Sequence, residues 1–266
     1  MGLFHPFRDQ RRKELAGQSL PPKWSAILER NVPYCRALHP DERKRLDELI
    51  QIFLAEKHFE GCGGLEVTDE MRVTIAAQAC LLLLNLHHDY FERLSSVLVY
   101  PESFAFDQEE RSARLGTLTV ARVPVSGLSS SGGAVALSWP DALAGARLTG
   151  DGSNVVLHEF AHQLDQLDGA MDGAPDLDTA AQYREWARVL GAEYARLQGE
   201  SALGIPSLIS PYAATKPAEF FAVVTELFFE RPRELKAQHP ELYEEFRQYY
   251  RQDPAARSEA AAQPPS

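Results

Sequence analysis

Apolar residues recur at helical spacing through the first third of the chain. Phe7 to Gln18 reads as a basic amphipathic helix, and Pro21-Pro22 opens a short one carrying Trp24, Ile27 and Leu28. Pro40 opens a third, in which Leu46, Leu49, Ile50, Phe53 and Leu54 recur at that spacing before the turn Gly61-Cys62-Gly63-Gly64. Thr68 is placed to cap a run from Asp69 to Leu86 that is apolar nearly all round, the pattern of a central buried helix.

The period then changes. Ser95–Tyr100, Thr117–Val125 and Ala134–Trp139 are short, rich in Val and Leu, and bounded by Pro, Gly and Ser, so they read as strands of one small sheet. Gly127–Gly133 reads as a Ser/Gly turn that makes the last two neighbours. Helical patterns return over Ser153–Leu167, Thr179–Leu197, Pro217–Glu230 and Pro240–Tyr250, and an Ala/Pro/Ser-rich tail from Asp253 to Ser266 reads as disordered. The expected fold class is α+β: one mainly helical domain over residues 1–252, with an N-terminal helical lobe (1–66), a catalytic core (67–252) and a disordered tail (253–266).

Composition narrows the function. The chain has 266 residues, 44% of them hydrophobic and 24% charged, as in ordinary soluble proteins. A net charge of −11 disfavours polyphosphate partners, and the basic cluster of Arg8, Arg11, Arg12 and Lys13 reads as a solvated helix face, so no nucleic acid is expected. Three scattered cysteines, no secretory leader pattern and no apolar run near the ~20 residues of a membrane span lead us to expect a cytoplasmic protein with no membrane association.

The chemistry is concentrated in His158-Glu159-Phe160-Ala161-His162, which lies in an apolar helical pattern. Imidazoles four residues apart stand one turn apart on one helix face and can grip a single cation. Zn2+ suits two such imidazoles and a carboxylate, with water in the fourth position, and Glu159 is turned so that it can serve that water as a base. Several acids compete as third ligand. Asp165 shares the face of His158, but three ligands on one straight helix spread over ~10 Å; it reads better as a partner near His162 or as surface. Asp168 stands where metzincins place theirs, although the Gly of that pattern is replaced here by Asp165. Glu219, in the first turn of the helix opened by Pro217, can be delivered by a second helix packed on the first. Glu226, seven residues on, is either a partner of a ligating histidine or half-exposed on the rim.

His158-Glu159-Phe160-Ala161-His162, then Tyr212, Pro217-Ala218-Glu219-Phe220 and Glu226-Leu227-Phe228-Phe229, together with Leu137-Ser138-Trp139 and the late Tyr-Tyr-Arg-Gln-Asp-Pro, resemble the Mlc titration factor A family of bacterial zinc peptidases. The spacing is also similar to that of the anthrax lethal factor catalytic domain. The resemblance implies a zincin-like fold, one Zn2+ held by His158, His162 and Glu219, Glu159 as general base, and Tyr212 as a hydroxyl donor to the oxyanion. It further implies a cytoplasmic aminopeptidase-type enzyme acting on peptides, and binding to an Mlc-like, glucose-responsive transcriptional repressor. The alternatives are a non-catalytic zinc protein that captures the repressor and a metzincin-like endopeptidase using Asp168. The strand Ala134–Trp139 is expected to be the sheet edge along which an extended peptide lies.

Overall fold

The computed structural model describes residues 6–86, 90–111, 118–125, 127–130, 133–147, 150–167 and 169–262. In chain order the helices are α1 (Pro6–Ala16), α2 (Pro22–Asn31), α3 (Pro40–Glu56), α4 (Asp69–Leu83), α5 (Trp139–Arg147), α6 (Val155–Asp165), α7 (Ala180–Ala202), α8 (Pro217–Glu230), α9 (Pro232–Gln238), α10 (Pro240–Tyr250) and α11 (Pro254–Ala262). The strands are β1 (His58–Gly61), β2 (Ser96–Tyr100), β3 (Phe104–Arg111), β4 (Leu118–Val125), β5 (Gly127–Ser130) and β6 (Ala134–Ser138). The α+β class holds: the protein is mainly helical with a small mixed sheet.

Proline sets many of the starts. It opens α2, α3, α8, α9 and α10, where its missing N–H costs nothing and its fixed φ suits the first turn. Thr68 caps α4 as expected, accepting from the Met71 N–H. From Val73 to Leu83 every residue of α4 is buried, and the helix touches α2, α3, α5 and α6. Phe53 of α3, Phe91 and Phe160 of α6 form one aromatic cluster against α6, with ring centroids 5.0–6.3 Å apart. Trp186 of α7, Phe221 of α8 and Phe246 of α10 form a second, which fixes α8 from its far side. Each fully buried phenylalanine contributes roughly 1.5–3 kcal/mol of transfer free energy.

The sheet departs from expectation in three respects. Its strand order is β1-β2-β6-β5, with β1, β2 and β6 parallel and β5 antiparallel to β6. The strand expected over 117–125 is not in it: β4 pairs only with β3, in a separate antiparallel ribbon. The stretch expected to be a turn is largely β5, which occupies the outer position and leaves β6 paired on both sides, so β6 is not an edge. Trp139 ends no strand; with Pro140 it opens α5. Residues 1–66 supply β1 to the sheet as well as helices.

The tail differs too. Residues 254–262 form α11, because Pro254 starts the helix and the Tyr243 hydroxyl, which donates to Asp253, accepts from the Ala255 N–H. Ala255 is buried, and Arg257 reaches back to Tyr34 (2.9 Å) and Glu42. Among the described residues no helix is long and apolar enough to cross a membrane.

Candidate metal centre

The centre is built on the packing of α6 against α8. Asn154 begins α6: its side-chain oxygen accepts from the N–H groups of Val156 (3.1 Å) and Leu157 (3.0 Å), which the helix leaves unpaired. His158 and His162 then project one turn apart, with ring centroids 4.9 Å apart and planes nearly perpendicular. Pro217 starts α8, and Glu219 in its first turn faces both rings. Its Oε2 lies 3.1 Å from His158 Nε2 and 3.5 Å from His162 Nε2.

Glu226, seven residues along the same face of α8, is buried and holds the far side of His158: its Oε1 is 2.8 Å from Nδ1. Its Oε2 accepts from the Asn154 backbone N–H at 2.6 Å, so one carboxylate ties α8 both to a histidine and to the residue that caps that histidine's helix. Glu230, one turn further, accepts from the Gly150 N–H (2.6 Å) and the Asn154 amide (3.3 Å), and burial pushes its carboxyl up to about 7. His162 Nδ1 is buried without a hydrogen-bond partner among the described residues.

The electrostatics follow from this crowding. Burial works against a charged His158, but its hydrogen bonds to Glu219 and Glu226 prevail and raise the ring to about 10. Burial likewise opposes the Glu219 carboxylate, and the two imidazoles hold it well below the usual carboxylate range. Glu159 is buried, with the opposite result: desolvation pushes it up to about 7. Tyr212 stands on the short 3-10 turn Pro211–Ala214, just before α8, half-exposed and 6.2 Å from the His158 ring. Partial burial and the negative charge of the Glu219 carboxylate push its phenol above the usual range.

The donor set suits a divalent cation, zinc above all. With Nδ1 of His158 committed to Glu226, a neutral ring carries its proton there and turns its Nε2 lone pair towards a carboxylate oxygen 3.1 Å away. A positive charge is needed between them, a proton while the ring is held charged or a metal ion in its place, and His162 Nε2 converges on the same oxygen. One ligand atom from each of His158, His162 and Glu219 lies within 4.8 Å of the others, and these are the group that could hold a metal ion among the described residues.

The structure thus brings together His158, His162, Glu159, Glu219 and Tyr212, and resolves Glu226 as a histidine partner. Asp165 is elsewhere: it is buried and accepts from the Gly173 N–H at 2.9 and 3.1 Å. That loop presses on α8, since a side chain at Gly173 would fall 2.5 Å from the Pro217 carbonyl oxygen. Asp165 therefore helps seat the start of α8 and is no ligand. Asp168 lies outside the described residues. Sequence reasoning missed Asn154, Glu230 and all of β5; an Asn directly before an apolar helical run was the available signal for the first.

The profile of the glucose-regulated metallo-peptidase M90 family matches residues 7–251. The uncharacterized protein slr2042 of Synechocystis sp. is 40% identical over 256 residues, covering 92% of this chain and 90% of its own. Mlc titration factor A of Escherichia fergusonii is 33% identical over 248 residues (91% and 90%), and that of Klebsiella pneumoniae strain 342 is 34% identical over 232 (85% of each). With helix α6, its paired histidines and the facing glutamate all inside the matched span, the chain belongs to the glucose-regulated metallo-peptidase M90 family, alongside the Mlc titration factor A proteins.

Proposed function

We propose that the protein is a zinc-dependent, zincin-like peptidase of aminopeptidase type, with His158, His162 and Glu219 as ligands, Glu159 as general base and Tyr212 as oxyanion donor. The observation that carries this reading is the convergence of two imidazoles from α6 and one carboxylate from α8, with a second, buried carboxylate beside them that is not part of the donor cluster. When bound, zinc supplies Lewis acidity, polarising a scissile carbonyl and lowering the pKa of water to roughly 7.

The remaining work belongs to the chain's own groups. Glu226 fixes the His158 proton on Nδ1 and keeps Nε2 free to ligate. Glu159, shielded from bulk solvent, takes a proton from the attacking water and returns it to the leaving amine. The Tyr212 hydroxyl donates to charge that develops on the former carbonyl oxygen. An extended peptide pairs with the outer edge of β5, which among the described residues no strand covers. The relatives' name, Mlc titration factor A, supports an Mlc-type repressor as partner, met in the cytoplasm.

The test combines metal analysis with turnover. Purified protein is expected to hold about one zinc per chain. Glu159→Gln should keep the metal and lose ~10²–10⁴-fold in hydrolysis. Wild-type turnover by that variant would remove the base assignment. A panel of amino-acid amides set against a longer blocked peptide reads the aminopeptidase preference.

A further inference from the structure

The face of α6 that meets β5 is polar where apolar residues would cost less. Glu159, Gln163 and Gln166 follow one another at helical spacing, and all three are buried. Buried amides are costly unless hydrogen-bonded, and here the amides of Gln163 (2.5 Å) and Gln166 (3.5 Å) both donate to the Ser129 hydroxyl.

Two residues before Ser129 in the strand, Gly127 closes on the Glu159 side chain. A Cβ added there would fall 2.6 Å from both Cγ and Oε1 of Glu159 and 2.7 Å from Val155 Cγ2. Gly127 is not among the positive-φ glycines, so it is the space and not the backbone conformation that demands glycine. The register matters for the same reason: a one-residue slip of this four-residue strand would bring Leu128 over Glu159.

We propose that β5 positions the Glu159 side chain, with Gly127 leaving the space it occupies and the Ser129 hydroxyl, through Gln163 and Gln166, keying the strand to α6. Gly127 and Ser129 are positioning residues; neither touches the reacting atoms. The inference rests on Glu159 being the base only for its effect on rate. The placement of the side chain is a separate matter, and so it can be tested by itself.

The experiment uses the full-length, zinc-loaded protein. Gly127→Ala is expected to retain its zinc and, in a crystal structure, to show the Glu159 carboxylate displaced from its place against residue 127. Its kcat should fall ~10²-fold with KM little changed, the scale of a ~1 Å misplacement. Shortening the base should relieve the clash, so adding Gly127→Ala to Glu159→Asp should cost at least ~10-fold less than adding it to wild type. Glu159 found in its wild-type rotamer in the alanine variant, or losses that simply multiply, would overturn the proposal. Should Gly127→Ala fail to fold, Ser129→Ala keeps the backbone and removes only the anchor for the two glutamines: a ~10-fold fall in kcat at constant KM supports the proposal, and wild-type kcat overturns it. Wild-type activity of Glu159→Gln would sink the base assignment, while the crystallographic comparison would still decide the positioning.

Discussion

The two walls of the site are made by different means. The helical wall, α6 and α8, acts through side chains: imidazoles and carboxylates whose hydrogen bonds run from His158 through Glu226 to the Asn154 backbone. The strand wall, β5, acts through a hydroxyl and an absent side chain. A charged cluster needs partners on every side, whereas a buried base needs chiefly a space of the right shape. Changes to the ligands and their partners in the helical wall should therefore appear first in metal affinity or in charge stabilisation, and changes in the strand wall, like changes to Glu159 itself, in rate at unchanged metal content.

That contrast can be broken at three points. Tyr212→Phe, at the entrance to α8, should lower kcat by ~10²–10³-fold with zinc retained, the cost of losing one oxyanion donor; a variant that lost zinc instead would make the tyrosine part of the metal cluster. Glu226→Gln should weaken zinc binding by ~10–100-fold, measured by competition with a chelator, because the partner that orients His158 becomes a neutral amide. Unchanged affinity would show that the Nδ1 contact does not tune the ligand. Asn154→Ala should have the smallest effect: a loss of about 1 kcal/mol in unfolding free energy from the missing cap, with kcat unaltered once the site is loaded. A large kcat defect there would mean that the start of α6 governs the chemistry more than the contacts suggest.

The sequence exposed the helical wall well because its information is local. The spacing of His158 and His162 and the proline ahead of Glu219 each describe a single helix, and the helix pattern carries them. Which acid completes the set is not local, and Asp165, Asp168 and Glu219 stayed in competition on spacing until packing placed Asp165 against Gly173 and Glu219 against the two rings. The strand wall was illegible for a physical reason. Gly127-Leu128-Ser129-Ser130 has the composition of a turn, and what makes it a strand is its pairing with β6, a contact made in three dimensions. The same holds for β3: Asp107, Gln108, Glu109, Glu110 and Arg111 offer no apolar run, and only the pairing with β4 reveals the strand. The Ala-rich α11 looked unstructured because its order comes from Tyr243 and Arg257, neither of which helix propensity alone would single out.

That last helix has a bearing on biosynthesis. Arg257 bridges to Tyr34 and Glu42, more than two hundred residues upstream, so the earliest helices to leave the ribosome wait for some of the latest to be braced. A nascent chain halted near residue 250 would already contain the metal-gripping elements, yet would lack the clasp over its own beginning. Ribosome-stalled chains of increasing length, probed by protease, should show the segment around Tyr34 gaining protection only after α11 has emerged.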